Sequence, residues 1–288
     1  MDLSVVIVSH NTTSYFRSCL KTLKKNISNK ISYEVIVVDN ASSENEIKDL
    51  KTIKGITVIF LKDNIGFGRA NNKGIKQAKG KYILLLNPDT KILNNSIEKL
   101  FGFIKTHSYS FIGPQLLNED KTIQPSCGEF YTLKTVFTLL FLKGEKLGIT
   151  KYSPTHSRVV DWLSGACLLF KKRDFYKVSQ FDENIFLYDE DADLLYRASK
   201  MRLSCYFYKD TAIIHTGAVT TKGANSVMNT YVGLTYFYKK HYSYFDQIIL
   251  KILLLIKFVI ATIIFTVQGN KTKLHLYNKA ARKTLFTL

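Results

Sequence analysis

The sequence predicts an α/β protein built on a mostly parallel, doubly wound sheet. Short apolar runs rich in β-branched residues alternate with segments of helical periodicity four times in about the first ninety residues, a pattern typical of βαβ units. Polar residues follow the predicted strands where these end, and sheets of this class bind ligands at the carboxyl ends of their strands.

The first predicted strand covers residues 3–9, an apolar run of the kind found in buried parallel strands. Apolar residues at helical spacing then predict a helix over 14–25. The alternation continues with strands at 34–38, 57–61 and 81–86, a helix at 44–54, and a loop leading into a helix at 66–78.

The remainder of the chain is less regular. We expect loops and short strands over 113–131, and the single tryptophan lies in an apolar segment at 160–170. An acidic run at 189–193 begins a helical pattern, and strand-like segments follow at 205–208 and 212–214.

Composition predicts a folded protein of a reducing compartment. The 288 residues are 46% hydrophobic and 22% charged, which excludes a disordered chain. The four cysteines stand far apart, which favours free thiols over disulfides or a zinc site, and the N-terminus lacks the basic segment of a signal peptide. We expect a cytoplasmic protein with one domain over 1–225, whose halves are 1–112 and 113–225, and a helical region over 226–288.

Positive charge is concentrated in the tail. The net charge is +18, and residues 222–288 carry ten Lys and Arg but a single acid, Asp246. The apolar stretch 248–267 contains Lys251 and Lys257, which make a bilayer span only modestly favourable. We therefore expect a helix in the interface of an anionic membrane, its lysines reaching lipid phosphates, with 271–283 as a basic patch. A single span and a helix buried against the domain are the alternatives.

Two strand ends carry candidate ligands. Asp39 follows a buried strand, where its carboxylate can accept a hydrogen bond from the imide of a pyrimidine base; a helix N-cap is the structural alternative. Pro88 holds Asn87 extended, so that Asn87 and Asp89 lie on one side. A carboxylate there suits a hard divalent cation that also binds phosphate, and an ordinary Asn-Pro-Asp turn is the alternative.

The acidic run and a histidine are the other candidates. Asp193 can pair with Arg197 one helical turn later, whereas Glu190 and Asp191 have no evident local partner. Crowded carboxylates raise one another's pKa, which suits a general base; a solvated acidic turn is the alternative. His215 follows the last predicted strand, as either a metal ligand or a structural residue.

A glycine-containing loop offers a competing interpretation. Residues 66–71 (Gly-Phe-Gly-Arg-Ala-Asn) are similar to a dinucleotide-binding loop, which would indicate a nicotinamide oxidoreductase. Asn71 replaces the third glycine, however, and its side chain opposes the close helix–strand packing of that motif.

The ordered set of motifs resembles family 2 of the glycosyltransferases, inverting enzymes of the GT-A fold, and most of all its rhamnosyltransferase-type members. The resemblance covers about residues 3–220. It is carried by Ser4-Val5-Val6-Ile7-Val8-Ser9-His10-Asn11, Val37-Val38-Asp39-Asn40-Ala41-Ser42, Asn64-Ile65-Gly66-Phe67-Gly68-Arg69-Ala70-Asn71, Leu86-Asn87-Pro88-Asp89-Thr90, Trp162-Leu163-Ser164-Gly165-Ala166, Tyr188-Asp189-Glu190-Asp191-Ala192-Asp193-Leu194 and Ile214-His215. One departure is His10, where relatives usually have tyrosine.

The resemblance implies roles for these residues. Residues 1–112 would bind the nucleotide and 113–225 the acceptor. Asp191 would be the catalytic base within an acidic cluster that includes Glu190, and Asp89 and His215 would bind Mg²⁺ or Mn²⁺. The nucleotide and donor sugar would contact Ser9, Asn11, Asp39, Asn64, Gly66, Asn71, Asn87, Gly165 and Ala166.

The activity that the resemblance implies is metal-dependent transfer of a sugar from a UDP- or dTDP-sugar to a saccharide acceptor. The basic tail favours an acceptor linked to polyprenyl diphosphate, as in bacterial surface polysaccharide synthesis at the cytoplasmic face of the membrane, and no nucleic acid partner is expected. Two other classes stay open. A sugar-nucleotide nucleotidyltransferase should have a Gly-rich basic loop after its first strand, which residues 9–13 lack. A nucleic-acid-binding protein would use the net charge and interleave aromatic and basic residues on one surface.

Overall fold

The computed structural model describes residues 1–217 and 224–285. The strands of the described residues are β1 (Leu3–Ser9), β2 (Tyr33–Asp39), β3 (Thr57–Phe60), β4 (Tyr82–Leu86), β5 (Thr90–Ile92), β6 (Phe111–Leu117), β7 (Ile123–Gln124), β8 (Cys127–Gly128), β9 (Lys151–Tyr152), β10 (Arg158–Val160), β11 (Trp162–Leu163), β12 (Cys167–Lys171) and β13 (Cys205–His215). The helices are α1 (Thr13–Asn26), α2 (Glu44–Lys51), α3 (Phe67–Gln77), α4 (Ser96–Thr106), α5 (Leu133–Phe141), α6 (Lys172–Lys177), α7 (Glu190–Lys200), α8 (Ala224–His241), α9 (Tyr244–Val267) and α10 (Lys271–Leu285).

The main sheet has the strand order β10–β13–β6–β12–β4–β1–β2–β3, with β5 paired to β13 and β7 to β6. Strands β1 to β4 pair in parallel, as do β6 and β13. Between these two groups lies β12, antiparallel to both β4 and β6. The α/β class with a mixed, mostly parallel sheet is confirmed, and β11, β8 and β9 form a small second sheet.

The sheet is covered by helices on both faces, as a doubly wound sheet requires. Alternate residues of β1 enter different cores: Val5 packs with Phe16 of α1, whereas Val6 packs with Ile75 of α3. Because every residue of β1 is buried, its apolar run contributes to both cores at once. The register pairs Ser9 with Asp39, so the carboxyl ends of β1 and β2 lie side by side.

The predicted strands at 205–208 and 212–214 form one strand, β13, whose register against β6 shifts between Tyr208 and Ala212. Residues 209–211, which separate the two predicted strands, lie at this irregularity. The helix predicted over 44–54 ends earlier, at Lys51. Both differences concern boundaries, and the order of predicted elements is retained.

The C-terminal helices pack on one another and on α5 around a separate apolar core. In α9, Leu250, Leu254, Phe258 and Ala261 form the buried stripe. The Lys257 ammonium donates to the main-chain carbonyl of Leu140 at 2.6 Å, so this lysine turns inward, contrary to the expectation that it reaches lipid phosphates. Within the described ranges α9 is the one helix long and apolar enough to cross a bilayer, a criterion that core helices of soluble proteins also meet.

Candidate active site

The nucleotide end of the site is formed by the loops after β1 and β2. Asp39 is fully buried; its Oδ2 accepts the Ser42 N–H at 3.2 Å, while its Oδ1 has no hydrogen-bond partner. The carboxylate therefore shapes the turn with one oxygen, and the other has no partner among the described residues. The N-cap of α2 is Ser43, which removes that alternative role from Asp39.

Asn11 fastens the loop after β1 to the loop after β2, and the Ser9 hydroxyl bonds within the loop after β1. The Ser9 hydroxyl lies 2.9 Å from that of Thr12. Asn11 has a left-handed backbone (φ 55°), its N–H donates to the Ser42 hydroxyl at 2.9 Å, and its side-chain oxygen accepts the Ser43 N–H at 2.8 Å. Both residues thus hold the loop geometry around Asp39.

Asn40, which the sequence analysis did not single out, connects this loop to the segment before α3. Its amide donates to Asn64 Oδ1 and accepts the Ile65 N–H, both at 2.9 Å. Gly66 then turns with φ 86°, and a Cβ there would lie 2.3 Å from the carbonyl oxygen of Phe186. Asn40 directly follows Asp39 at the end of β2, so the same position at a strand end could have indicated it.

Asn71 is buried within α3, where its amide donates to the Phe67 carbonyl at 3.0 Å. The neighbouring Asn72 exchanges hydrogen bonds with the main chain of Phe181, at 3.0 and 3.2 Å. These contacts fix α3 against the segment that leads to the acidic run.

Asn87, Asp89 and His215 meet at the end of β4. Asp89 Oδ1 lies 3.4 Å from His215 Nε2, and the Asn87 amide nitrogen lies 3.3 Å from the same ring nitrogen. Asn87 Oδ1 is buried and has no partner, and the Asn87 N–H donates to the Ala166 carbonyl at 2.9 Å. The Asn-Pro-Asp segment is therefore a turn whose side chains face one histidine.

The other Asp89 oxygen accepts the Thr216 hydroxyl at 2.8 Å and the Gly217 N–H at 3.1 Å. Burial acts to raise the pKa of Asp89, but the hydrogen bonds and charge of His215, together with the Thr216 bond, leave it below its usual value. His215 Nδ1 lies 2.7 Å from Oε1 of Gln124, a residue that carries no motif and that sequence reasoning missed.

The acidic run lies at the start of α7, beside Gly165. Asp191 Oδ2 accepts the Gly165 N–H at 3.1 Å, and its Oδ1 accepts the Ala192 N–H at 2.8 Å. Burial raises the pKa of Asp191 despite these bonds. Glu190 is buried with an unpartnered Oε2, and burial together with the Asp191 charge raises its pKa well above the usual range.

Asp189 occupies the α7 N-cap position with left-handed φ of 67°, directly after Tyr188 at φ 70°. The Tyr131 hydroxyl donates to its Oδ1 at 2.5 Å. Burial raises the pKa of Asp189 to about 7, and the Asp191 charge adds to this shift while the Tyr131 bond opposes it. A Cβ at Gly233 of α8 would lie 2.3 Å from Asp189 Oδ2, so α8 packs directly on this carboxyl.

Asp193 is fully buried and differs from its neighbours in having three cationic partners. The predicted pair with Arg197 is present at 2.8 Å, and Lys240 and His241 of α8 lie at 2.8 and 2.7 Å. Asp193 therefore anchors α8 to α7.

A continuous set of contacts joins Asp89 and His215 to Asp191 in the acidic run. Asp89 contacts His215, His215 contacts Asn87, the Asn87 N–H bonds the Ala166 carbonyl, and the adjacent Gly165 bonds Asp191. The structure thus brings together residues that are up to 128 positions apart in the chain.

Comparisons with known proteins identify relatives of the chain. The model of glycosyl transferase family 2 matches residues 4–127. The rhamnosyltransferase WbbL of Escherichia coli is 27% identical over 221 residues, which cover 73% of this chain and 82% of that protein. The comparisons identify the chain as a glycosyltransferase whose residues 4–127 match family 2. A second relative of this glycosyltransferase is the N-acetylglucosaminyl-diphospho-decaprenol L-rhamnosyltransferase of Mycobacterium tuberculosis, 24% identical over 76% of this chain and 77% of that one.

Solved structures confirm the GT-A fold of the glycosyltransferase. GalNAc-T7, crystallised with UDP, GalNAc and Mn²⁺, superposes with a TM-score of 0.61 at 17% identity, covering 83% of this chain. The chain spans half the length of GalNAc-T7. Residues 1–349 of S. aureus TarS superpose with a TM-score of 0.58 at 18% identity, covering 99% of this chain and 81% of that fragment.

Proposed function

We propose that the glycosyltransferase moves a sugar, with inversion, from a UDP- or dTDP-sugar to a saccharide acceptor linked to polyprenyl diphosphate, in assembly of a surface polysaccharide at the cytoplasmic face of the membrane. The observation that carries the proposal is the set of contacts from Asp89 and His215 to Asp191. The decaprenol-diphosphate substrate in one relative's name and the UDP bound to TarS and GalNAc-T7 support the acceptor and donor classes.

Asp39 fits a uracil or thymine base. Its Oδ1 is buried and unpartnered, and the N3–H of both bases is a donor that would satisfy it. Cytosine presents an acceptor at that position and would leave the oxygen unsatisfied. The Asp39 carboxylate thus supports a UDP- or dTDP-sugar as the class of donor.

The residues at Asp89 fit a divalent cation. Asp89 Oδ1 and His215 Nε2 lie 3.4 Å apart, and the buried oxygen of Asn87 lacks a partner. In the described parts of the chain no cluster of three or more His, Cys, Asp or Glu side chains is suited to a metal. Two protein ligands suffice for Mg²⁺ or Mn²⁺, whose remaining positions are filled by water and substrate phosphates. When bound, the cation would offset the charge that develops on the departing diphosphate.

Asp191 is suited to take the proton of the acceptor hydroxyl. Burial and the Asp191 charge raise the pKa of Glu190, which favours its protonated form, while Asp191 receives two backbone N–H bonds that favour its charged form. As the hydroxyl oxygen attacks the anomeric carbon, the bond to the diphosphate breaks on the opposite side and the proton passes to Asp191. Attack opposite the leaving group inverts the anomeric centre.

The catalytic assignment is tested with Asp191→Asn, which removes the basic oxygen but keeps the shape of the side chain. We expect sugar transfer to be lost, by about 100-fold or more, while calorimetry shows unchanged binding of nucleoside diphosphate. The matched control is Asp63→Asn, an exposed acid outside the site, which should leave turnover unchanged. Normal turnover in Asp191→Asn would remove this residue from the mechanism.

The metal assignment is tested separately with Asp89→Ala and His215→Ala. Thermal-shift measurements with UDP and dTDP, with and without Mn²⁺, should show metal-dependent stabilisation of the wild-type protein. Both variants should lose the metal-dependent part of that stabilisation. Equal stabilisation in wild type and variants would refute the assignment.

A further inference from the structure

The C-terminal core leaves an extended apolar surface on α9. Opposite the buried stripe of this helix, large apolar side chains are exposed along its whole length: Ile248, Ile252, Leu255, Ile256, Val259, Ile260, Ile263, Ile264 and Val267. Because α9 packs on α5, α8 and α10, it is already part of the folded body. An apolar helix packed along one side and exposed along the other is suited to lie on a bilayer rather than to cross it.

The apolar surface continues beyond the tail onto α5 and the loop that follows it. Four large apolar side chains of this segment are exposed: Phe137, Leu142, Leu147 and Ile149, the third to 65%. The segment is fastened to α9 by the Lys257 bond to Leu140. Phe137 also contacts the ring of Phe141, which packs against the C-terminal core. We call the exposed apolar residues of α5, its following loop and α9 the α5–α9 face.

Basic residues accompany this face. Lys143 and Lys146 are exposed in the loop after α5. Beside α9, α10 exposes a further set of cations: Lys271, Lys273, Lys279, Arg282 and Lys283. Exposed large apolar side chains accompanied by cations match an anionic lipid surface.

The same elements hold the acidic end of the active site. Tyr131, which bonds Asp189, precedes α5 by two residues, and Gly233 of α8 contacts Asp189 from the other side. A lipid surface at the α5–α9 face would therefore place the membrane next to the residues proposed to receive the acceptor.

We propose that the α5–α9 face binds the surface of an anionic bilayer, with α5 and residues 142–149 of the catalytic domain as a second membrane contact beside α9. This contact orients the acidic end of the site toward membrane-borne acceptors, a consequence that rests on the proposed function. It assigns a membrane role to a segment outside the basic apolar tail.

The test is flotation of the full chain with vesicles of phosphatidylcholine alone or mixed with phosphatidylglycerol. The wild-type protein should float with the anionic vesicles, and the double variant Leu142→Gln/Leu147→Gln should bind them at least about tenfold more weakly, since each exposed leucine loses its transfer into the interface. The control Val159→Gln/Met201→Gln alters two similarly exposed residues on β10 and after α7 and should bind as wild type does. Unchanged thermal unfolding of the variants establishes that they fold.

Each contrary outcome is distinct. Wild-type binding that survives in Leu142→Gln/Leu147→Gln but is lost in Val259→Gln/Ile263→Gln overturns the α5 contact and leaves the proposed function intact. Resistance of the bound protein to extraction at alkaline pH overturns surface binding in favour of a span by α9. If the wild-type protein binds neither kind of vesicle, the α5–α9 face does not bind a bilayer. That result would also contradict the membrane location in the proposed function.

A second inference concerns Gln124, whose contacts fix the state of His215. Its Nε2 lies 3.1 Å from the main-chain carbonyl of His215 and 3.0 Å from Asn118 Oδ1. A carbonyl only accepts, so the atom beside it is the amide nitrogen, and the amide oxygen faces His215 Nδ1 at 2.7 Å. His215 Nδ1 must therefore carry a hydrogen.

In the neutral ring this leaves a lone pair at Nε2, the atom that lies near Asp89 Oδ1 and the Asn87 amide; only the charged ring would donate from Nε2 to Asp89. We infer that Gln124 is a positioning residue, which holds His215 in the tautomer able to bind the cation of the proposed function. Partners on the far nitrogen commonly set the orientation and affinity of metal-binding histidines.

Imidazole ¹⁵N NMR tests the tautomer without metal, with the His215 signal assigned by its absence from His215→Ala. The wild-type protein should show Nδ1–H, Gln124→Leu should lose this preference, and Gln124→Glu, which keeps an acceptor, should retain it. Calorimetry of Mn²⁺ with UDP should show about 10- to 100-fold weaker binding in Gln124→Leu, while Ile123→Ala on the same strand binds normally.

An Nε2–H tautomer in the wild-type protein, or normal Mn²⁺ affinity in Gln124→Leu, would overturn the role of Gln124. Failure of the wild-type protein to bind Mn²⁺ with any nucleotide would count against the proposed function instead, whichever tautomer is observed.

Discussion

At the scale of single residues, four acids in one five-residue run acquire different properties from their surroundings. Asp193 is held by three cations, and its pKa lies below the usual range although burial opposes this. Asp191 receives two backbone N–H bonds, while Glu190 has no partner for one buried oxygen. Asp189 lies beneath α8, bonded to Tyr131. Burial and partners, rather than residue type, therefore lower the pKa of Asp193 and raise those of the other three acids.

The pKa of Asp189, about 7, predicts a pH-dependent stability. Its ordinary value is 3.8, so between about pH 4 and pH 7 the folded state holds a proton that the unfolded state has lost. Stability therefore falls as pH rises through this window, by on the order of 4 kcal/mol from this group. Asp189→Asn should reduce the fall, and its advantage over the wild-type protein should be larger at pH 8 than at pH 5.

Denaturant unfolding at pH 5 and pH 8 measures this difference. Asp63→Asn serves as the control, because this exposed acid should not change the slope of stability against pH. An equal effect of Asp189→Asn at both pH values would contradict the prediction.

At the scale of elements, short loops rather than helices hold the two halves of the site together. Phe67 donates its N–H to the Phe186 carbonyl at 3.0 Å, and Gly66 fits against the same carbonyl. Gly66 has φ 86° and ψ 168°, a conformation that is essentially restricted to glycine. This turn connects the nucleotide end to the segment that leads to the acidic run.

Gly66→Ala should therefore destabilise the fold by about 2 to 4 kcal/mol, since the new Cβ meets a main-chain oxygen in a backbone region that L-residues avoid. Gly148→Ala is the matched control: Gly148 also has a positive φ, 64°, but a Cβ there has no heavy atom within 4 Å. Its cost should be about 1 kcal/mol, from the backbone alone. Thermal or denaturant unfolding of the two variants compares them, and equal costs would mean that the Phe186 contact contributes nothing.

At the scale of the whole molecule, α8 fastens the C-terminal helices to the catalytic domain. Lys240 lies 2.6 Å from Asp182 and 2.8 Å from the fully buried Asp193. Burial opposes it, but the bond from Lys240, with those from Asn184 and Tyr236, lowers the pKa of Asp182 to about 2. The domain boundary at residue 226 stays a prediction. The contacts of Lys240 indicate that α8, which begins at Ala224, is integral to the fold.

Lys240→Ala should cost about 1 to 3 kcal/mol, because it removes a partner from a buried carboxylate. Lys239→Ala changes the adjacent exposed lysine and carries the same charge difference, so it should stay within about 0.5 kcal/mol of wild type. Chemical unfolding distinguishes the two. If both variants lose the same stability, net charge rather than the Asp193 contact is responsible.

Much of the site could be predicted because strand ends in a parallel sheet share one edge. Asp39 and Asp89 each follow an apolar strand, and that position alone indicated a ligand-binding side chain. Gln124 could not be predicted in this way. It lies on a two-residue strand of a hairpin, and its importance comes from its contact with His215, 91 positions later.

The sequence by itself determined the alternation of strands and helices, the strand-end acids and amides, the acidic run and the basic apolar tail, because each is a property of neighbouring residues. The tertiary structure alone decided that β12 inserts between the two parallel groups, that Gly165 contacts Asp191, that Lys257 turns inward, and that α5 packs against α9. These features depend on contacts between distant segments. Local periodicity carries no information about such contacts, since it records only which side of an element is apolar and not what will cover it.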